Sequence, residues 1–358
     1  MYRSWLFFLI VLITLGVMIM ASAEFTVSMK VSGDPSRALV KIFVKVIVSF
    51  MFFLLFSFIK FEAHERFYLH YYTLALVFLA LVLVAGGKIA GTRRWIYFDG
   101  FSFQPSEFAK LAMIIFLAKY IKDNEENLKS FYHGILKPLF FVSPIVFLVF
   151  VEPDLSTSVI MFLVAVLMLY SRGARLSHVL FLFLTLILIF LLMYIFHVFR
   201  PYQIERLKTF FERNVHEQVL LALKSMKEGG LLGKGLGVGE MKRLVPVSQS
   251  DFILAIIGEE LGFLGVLAVL FSYVGLVWSL LFGMEKVFKD TFQRSFVEGF
   301  SYLIILQVVV NLGVNVGLLP VTGVTLPFVS QGGSSFLAFM MGMGMVVSLF
   351  YGREEEQE

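Results

Sequence analysis

The sequence predicts an all-α polytopic membrane protein with about ten transmembrane helices. Two observations support this class. Of the 358 residues, 59% are hydrophobic and 16% are charged, a composition that excludes an ordinary soluble domain. Apolar runs long enough to cross a bilayer also recur from one end of the chain to the other. We therefore expect residues 1–358 to form a single integral-membrane domain.

Ten apolar segments are predicted to span the membrane. The first resembles a signal peptide, because Arg3 precedes it and Ala21-Ser-Ala23 follows it, but its apolar run is long for a signal and we interpret it as a retained span. Pro138 and Pro144 predict a kink in the fifth span. The eighth is longer than a bilayer requires, so we expect its start to project or break. The spans cover about 5–22, 38–59, 68–86, 106–121, 135–151, 155–170, 176–198, 251–282, 297–318 and 334–351.

Positive charge predicts the orientation of these spans. Ten spans put both termini on one side, and the short loops on that side hold more Lys and Arg than the opposite short loops. By the positive-inside rule, the termini are cytoplasmic, including the acidic tail 352–358. The large loop 199–250, between the seventh and eighth spans, is then extracytoplasmic despite its nine Lys and Arg. The richer set is Lys60, Arg66, Lys119, Lys122, Lys129, Arg172, Arg175, Lys286, Lys289 and Arg294.

Several kinds of site are excluded by composition and spacing. The chain has no cysteine, so it has no disulfide, thiol nucleophile or thiolate metal site. Its six histidines are scattered, without the His-Glu-x-x-His spacing of a zinc hydrolase. Neither a Gly-x-Ser-x-Gly elbow nor a nucleic-acid motif occurs. Catalytic or binding chemistry is therefore expected among the acids and bases at the outer ends of the spans.

A lone acid, Asp251, lies where the basic loop enters the eighth span, within Arg243–Phe263. An acid at a membrane surface beside a positive loop is a candidate general base. The simpler alternative, favoured by this stretch alone, is that Asp251 caps its helix or lies in the first turn, with Ser248 and Ser250 as other possible caps.

If the helix included Asp251, three small residues would share its face and allow a neighbouring helix to approach closely. Glu260 would point the opposite way and Glu259 to the side, so we expect both glutamates to be structural. The small residues are Ala255, Gly258 and Gly262.

Two more charged groups are predicted at the outer surface. Glu107 and Lys110 are three residues apart on the fourth span, so they can form an ion pair or face a cavity. Arg200 and Arg206 belong to an amphipathic basic segment at the start of the large loop. Such a segment can lie among lipid head groups or bind a lipid phosphate.

Two glycine-containing segments complete the set. Glu228–Gly239 looks like a phosphate loop, but it has no Gly-Lys-Ser/Thr sequence and no preceding strand, so a flexible or tightly turned loop is favoured over a nucleotide site. Leu319–Ser335 predicts a re-entrant turn that ends in a Ser-capped helix. Backbone N–H groups there can bind an anion, with a simple helix cap as the alternative.

In this order, the segments resemble the SEDS family (shape, elongation, division and sporulation proteins), the RodA/FtsW peptidoglycan polymerases. The resemblance covers nearly the whole chain. Gly33-Asp-Pro35 and Val321–Pro327 are more similar to the FtsW (division) branch than to the RodA (elongation) branch. The matching blocks are Arg93–Ile96, Phe103–Lys110, Glu152–Leu155, Pro201–Gln203 with Arg206, Gly229–Gly237, Asp251–Gly262, Asn311–Gly317 with Leu319-Pro320, and Leu326–Ser335.

The resemblance implies a glycosyltransferase that polymerises lipid II on the outer face of the bacterial cytoplasmic membrane, during cell division or elongation. It implies lipid II and undecaprenyl pyrophosphate as ligands, and a class B penicillin-binding protein, a transpeptidase, as partner; no nucleic acid is implied. No cofactor is certain, and a divalent cation, Mg²⁺ or Mn²⁺, stays an open alternative. Asp251 is the implied catalytic residue; the expected substrate-binding residues are Glu107, Lys110, Arg206, Arg200, Ser330, Gln331 and Ser334.

The chain departs from the family pattern beside the acid. Family members often have Pro-Glu-x-His-Thr before the aspartate, whereas this chain has Pro246–Ser250, which offers no local His or Glu partner. Gln331 also stands where Tyr is usual. Two other functions stay open: a lipid II flippase, which expects functional charges near mid-membrane, and a non-catalytic scaffold of the cell-wall synthesis complex, for which Asp251 would be dispensable.

Overall fold

The structure is a computed structural model that describes residues 4–32, 36–89, 92–98, 101–195, 217–240, 251–285, 287–288 and 290–354. These residues form twelve α-helices and three short β-strands. The helices are α1 (Ser4–Ser32), α2 (Ser36–Phe58), α3 (Phe61–Arg66), α4 (Tyr68–Ala85), α5 (Pro105–Asp123), α6 (Lys137–Val151), α7 (Leu155–Ser171), α8 (Leu176–Ile195), α9 (Glu217–Gly229), α10 (Ile253–Trp278), α11 (Thr291–Asn315) and α12 (Gly333–Glu354).

Each predicted span corresponds to a helix, and the all-α polytopic class is confirmed. Within the described residues alone, seven helices are long and apolar enough to cross a membrane: α1, α2, α4, α6 with the π-helical turn before it, α10, α11 and α12. Helix α7, with 17 residues, is apolar over a shorter length, and α8 is apolar along its 20 residues. Helix α5 has 19 residues but carries buried charges, which lower its hydropathy. In α6, Pro138 occupies the tolerated first turn, and Pro144 lies inside the helix.

A small antiparallel sheet between α4 and α5 is absent from the sequence-based prediction. It consists of β1 (Gly87–Ile89), β2 (Thr92–Phe98) and β3 (Phe101–Phe103), in the order β1-β2-β3. Strand β2 is rich in β-branched and aromatic residues, which favour a pleated conformation. The sheet brings Arg94 to the turn between α6 and α7, where its guanidinium donates to the carbonyl oxygens of Glu152 and Pro153.

Helix α10 is broken at Gly262, where φ is 70° and ψ is −169°. This confirms that the eighth span breaks near its start. Glycine fits because a left-handed backbone is costly for residues with a Cβ atom. The N–H groups of Phe263 and Leu264, freed by the break, donate to the carbonyl oxygens of Gly230 and Leu231 at 2.8 and 3.2 Å.

The polar side chains of the bundle sort to two ends. One end, called the site end below, holds the sheet and the starts of α5, α7, α10 and α12. At the opposite end, Lys122 of α5 pairs with Glu65 of α3 at 2.8 Å and with Asp290 before α11 at 2.6 Å. Between the two ends the core is mainly apolar, apart from buried polar side chains such as Ser301 and Gln307 of α11, so most of the charged groups lie at the ends.

Candidate functional site

Asp251 lies in the turn before α10. Phe252 is the N-cap residue of the helix, which begins at Ile253. The prediction that Asp251 shares a helical face with Ala255, Gly258 and Gly262 is therefore wrong, because the backbone is not yet helical at Asp251. The alternative that Asp251 is the N-cap residue does not describe the structure either. The predicted caps Ser248 and Ser250 lie outside the described residues.

Two buried asparagines of α11 hold the backbone of Asp251. The side-chain amides of Asn311 and Asn315 each donate to the carbonyl oxygen of Asp251 at 3.0 Å. The Asn311 amide also donates to the carbonyl oxygen of Val324 at 2.8 Å. Because the two asparagines are four residues apart, they lie on one face of α11 and form a single clamp. The clamp joins Asp251, α11 and the turn that precedes α12.

That turn forms one wall beside Asp251. At Gly323, φ is 79°, and an added Cβ atom would lie 3.8 Å from the carboxylate oxygen Oδ2 of Asp251. The predicted turn between Leu319 and Ser335 is therefore present, and it packs against the predicted catalytic acid. Sequence analysis identified both segments, but the asparagines that join them appeared only as part of a family block.

The predicted substrate-binding serines make hydrogen bonds within the protein. Ser330 is buried, and its hydroxyl accepts from the N–H of Leu326 at 2.8 Å. The hydroxyl of Ser334 accepts from the N–H of Gln104 at 2.9 Å and donates to the carbonyl oxygen of Ser102 at 3.1 Å. These bonds tie the start of α12 to its turn, to the sheet and to α5.

Gln331 bridges from the same turn to α1. Its side-chain amide donates to the carboxylate of Glu24, and Glu24 also pairs with Lys41 of α2 at 3.1 Å. Its amide oxygen is buried, without a hydrogen-bond partner among the described residues. Lys45, one turn along from Lys41, lies beside Gly333 at the first residue of α12.

Glu107 and Lys110 form a buried ion pair on α5, with 2.8 Å between Nζ of Lys110 and Oε2 of Glu107. The side chain of Lys110 is only 1% exposed, and its ammonium lies 5.7 Å from the ring centroid of Phe339 in α12. A buried pair of this kind requires each charge to remain partnered, because an uncompensated buried charge is strongly destabilising. The predicted pairing is present within α5.

A second polar cluster forms around the turn between α6 and α7. Asp154 caps α7 by accepting from the N–H of Thr157, and Nη1 of Arg94 lies 3.8 Å from its carboxylate. Glu152 is fully buried, and its carboxyl oxygens have no hydrogen-bond partner among the described residues. Burial, with a contribution from nearby Asp154, raises the pKa of Glu152 to about 9, although Arg94 opposes the shift.

Glu259 and Glu260 are buried in structural contacts on different sides of α10. Glu259 accepts from Nζ of Lys234 at 3.1 Å and from the N–H of Glu240 at 2.8 Å. Glu260 accepts from the hydroxyl of Ser22 in α1, at 2.8 and 2.7 Å to its two oxygens. These contacts agree with the expected structural role of the two acids.

The glycine-rich segment Gly229–Gly239 is a tight turn packed on α10. An added Cβ atom at Gly229 would lie 2.0 Å from the carbonyl oxygen of Gly258, and one at Gly233 would lie 2.2 Å from that of Glu260. The glycines therefore allow two backbones to touch, which agrees with the predicted turned loop.

Two predicted site residues, Arg200 and Arg206, lie outside the described residues. No cluster of three or more His, Asp or Glu suited to a metal ion occurs within the described part of the chain. The site end thus contains Asp251 on its asparagine clamp, the turn before α12, the buried pair on α5 and the cluster around Asp154.

A many-helix bundle with buried charges at one end defines this protein as a polytopic membrane protein with a polar site at the ends of its spans. The sequence profile of the cell cycle protein family FtsW/RodA/SpoVE matches residues 3–355. The chain therefore belongs to this family.

Individual relatives and solved structures agree with this assignment. Stage V sporulation protein E of Bacillus subtilis (strain 168) is 37% identical over 76% of this chain and 75% of its own length. The probable peptidoglycan glycosyltransferase FtsW of Wigglesworthia glossinidia brevipalpis is 32% identical over 97% of this chain and 92% of its own length. FtsW names recur among the matches, as expected for an FtsW-like chain.

Among solved structures, a chain of a peptidoglycan synthase complex that coordinates polymerization and crosslinking superposes with a TM-score of 0.78, at 27% identity over 99% of this chain and 98% of its own length. The rod shape determining protein RodA of Thermus thermophilus gives a TM-score of 0.70 at 26% identity, over 98% and 97%.

Proposed function

We propose that this protein is a peptidoglycan glycosyltransferase that polymerises lipid II into glycan strands during cell division or elongation, with Asp251 as its general base. The observation that carries the assignment of Asp251 is its place on the clamp of Asn311 and Asn315, against the turn before α12. An acid fixed by rigid elements at the end of a span can meet a head group at the membrane surface. The membrane-spanning fold and the names of the relatives support the reaction class.

The proposed reaction is a displacement at the anomeric carbon of lipid II. The hydroxyl oxygen of the acceptor sugar forms the new glycosidic bond, and the bond from the anomeric carbon to undecaprenyl pyrophosphate breaks. Asp251 takes the hydroxyl proton, and the pyrophosphate leaves with the bonding electron pair. General-base assistance of this kind contributes about 10²–10⁴-fold to the rate.

The leaving pyrophosphate requires positive charge or N–H donors. The N-terminus of α12, at Gly333, supplies donors at the site end, and Lys110 supplies a cation on the neighbouring helix. Arg200 and Arg206 are the proposed contacts from the large loop. A divalent cation, Mg²⁺ or Mn²⁺, would supply charge neutralisation when bound, but the described residues offer no ligand cluster, and we derive no step through it.

The proposed location is the bacterial cytoplasmic membrane, with the site end outside and both termini in the cytoplasm. The Lys and Arg residues at the end opposite the site, including Lys119 and Lys122 in the last turns of α5, support this orientation. A class B penicillin-binding protein is the proposed partner. The structural relative from a complex that coordinates polymerization and crosslinking supports this pairing.

The test is polymerisation of fluorescent lipid II by purified protein in liposomes. We expect glycan strands from the natural protein and a rate about 10²–10⁴-fold lower for Asp251→Asn. Glu285→Gln, at an exposed acid of the opposite end, is the matched control and should keep full activity. A wild-type rate for Asp251→Asn would contradict the role of Asp251 as general base and leave the proposed polymerase activity standing. If the natural protein, supplied with its partner, moved lipid II across the bilayer and made no polymer, the protein would be a flippase and the enzyme proposal would be wrong.

A further inference from the structure

The loop after α9 exposes an apolar tip although it lies outside the spans. Leu231 and Leu232 are 68% and 79% exposed, and Leu236 and Val238 of the same loop are also exposed. Loops outside a membrane usually carry polar side chains at such positions. Adjacent exposed leucines therefore indicate a surface that something apolar covers.

The tip is held in a fixed position on α10. The N–H of Gly233 donates to the carbonyl oxygen of Gly229 at 2.8 Å, and the N–H groups of Lys234 and Gly235 donate to those of Glu259 and Glu260 at 2.9 and 3.0 Å. These bonds anchor both sides of the turn that presents the leucines. Their exposure is therefore imposed by backbone geometry.

The tip continues the lipid-facing surface of α10. Before the break at Gly262, residues 253–260 are buried, whereas the helix after the break exposes Phe263, Leu264, Phe271 and Val274 along its membrane-spanning length. The N–H groups of Phe263 and Leu264 donate to the carbonyl oxygens of Gly230 and of Leu231 itself. The tip thus lies next to Phe263 and Leu264, at the end of the lipid-facing stripe that is nearest the break.

The charges of this loop are neutralised beside the tip. Lys234 pairs with Glu228 at 2.6 Å and with Glu259 at 3.1 Å. The hydrogen bond that Lys234 donates to Glu228 raises the pKa of Lys234 and lowers the pKa of Glu228, so both groups stay charged and paired near neutral pH. The nearby lysine therefore does not force the leucines into water.

We infer that Leu231 and Leu232 insert into the acyl-chain region of the adjacent lipid leaflet and anchor the large loop to the membrane. The occupant of the apolar tip is phospholipid, because the tip is hydrogen-bonded to the first residues of the lipid-facing stripe. The same bonds join the anchor to the break that separates the first part of α10, which follows Asp251, from its lipid-facing part. The anchor therefore sets the depth, relative to the lipid head groups, of the part of α10 that follows Asp251.

The chain contains no cysteine, so single-cysteine variants need no background substitutions. Leu232→Cys carries a nitroxide in the full-length protein, reconstituted without any partner in phosphatidylcholine–phosphatidylglycerol liposomes. Its collision rates with oxygen and with a water-soluble nickel chelate are measured by electron paramagnetic resonance. Phe271→Cys, on the lipid-facing stripe, is the membrane reference, and Lys224→Cys, at a side chain 71% exposed, is the aqueous reference.

We expect the label at position 232 to collide more often with oxygen than with the nickel chelate, like the label at position 271. The label at position 224, which faces water, should collide more often with the nickel chelate. A nickel preference at Leu232, equal to that at Lys224, would show that the tip lies in water and would overturn the anchor. Leu231→Cys repeats the measurement if the first variant is not monodisperse. The readout is position in the bilayer, so it does not depend on the proposed catalytic activity.

Discussion

At the residue scale, the clamp on Asp251 acts through the backbone, so its loss should misplace the carboxylate without removing it. Asn311→Ala removes donors to the carbonyl oxygens of both Asp251 and Val324. We expect kcat for lipid II polymerisation to fall by about 10–100-fold with KM changed by less than about threefold, because small displacements of a catalytic group are costly. Kinetics with fluorescent lipid II would check this.

The matched control for the clamp is Ser301→Ala on the same helix. The Ser301 hydroxyl is buried and makes no hydrogen bond to the described residues, so its removal should leave kcat unchanged. Equal losses of activity in Asn311→Ala and Ser301→Ala would point to general disturbance of α11. An unchanged kcat in Asn311→Ala would contradict the positioning role.

Variants of the buried ion pair on α5 can distinguish a structural role of Lys110 from a role in binding substrate. Lys110→Met leaves the Glu107 carboxylate buried without its cation, and we expect a loss of about 3–5 kcal/mol of stability. Glu107→Leu combined with Lys110→Met removes both charges and should recover much of that loss. Melting midpoints in detergent measure the stability, and Glu285→Gln, in an exposed pair, should shift the midpoint little.

The double variant gives the decisive outcome for this pair. If Lys110 contacts the leaving pyrophosphate, the stable double variant polymerises lipid II slowly. Full activity in a stable double variant would restrict Glu107 and Lys110 to holding α5 against α12.

At the element scale, the break in α10 depends on a glycine for two separable reasons. Gly262 has a left-handed backbone, and an added Cβ atom would lie 2.4 Å from the nitrogen of Gly233 and the oxygen of Leu231. Gly237 also has a positive φ, but no atom lies within 4 Å of its added Cβ. We expect Gly237→Ala to cost about 1–2 kcal/mol by backbone strain alone, and Gly262→Ala to cost clearly more. Melting midpoints that fall equally would show that the loop can move away from Gly262.

The length of the apolar runs predicted the spans well, because a segment in lipid must satisfy its backbone polar groups internally and therefore forms a helix long enough to cross. The same reasoning predicted the broken start of α10, which is too long for one crossing. It misplaced Asp251 inside a helix because the helix boundary is set by tertiary contacts of Asn311 and Asn315, which local sequence does not report. The sheet was missed since its short strands lie between two spans and have no apolar period of their own.

At the scale of the whole molecule, the site is assembled by contacts between distant parts of the chain. Gln104 and Ser334 are 230 residues apart in sequence, and Ser22 and Glu260 are 238 apart, yet each pair is hydrogen-bonded at the site end. The sequence identified most of the segments from family blocks. It could not predict these pairings, or the place of Glu24 and Lys45 beside α12, because they depend on how the helices are arranged.

The pH dependence of the stability of the whole bundle should also reveal the protonation state of the buried acid Glu152. Its pKa is raised to about 9 in the folded protein, against an ordinary value of 4.5, so the folded state keeps a proton that the unfolded chain releases. Between those two pH values, folding stability must therefore fall as pH rises, by up to about 1.4 kcal/mol per pH unit. Below 4.5 both states are protonated, and the effect is absent.

Glu152→Gln keeps a neutral side chain of the same shape at every pH, so it should remove this component of the pH dependence. We expect the melting midpoint of the natural protein in detergent to decline from pH 5.5 to pH 8.5, and that of the variant to decline less. Glu285→Gln, which replaces an exposed acid at the opposite end, should keep the natural slope. Parallel slopes for the natural protein and Glu152→Gln would mean that the Glu152 carboxyl is ionised in the fold, with a cation or water beside it.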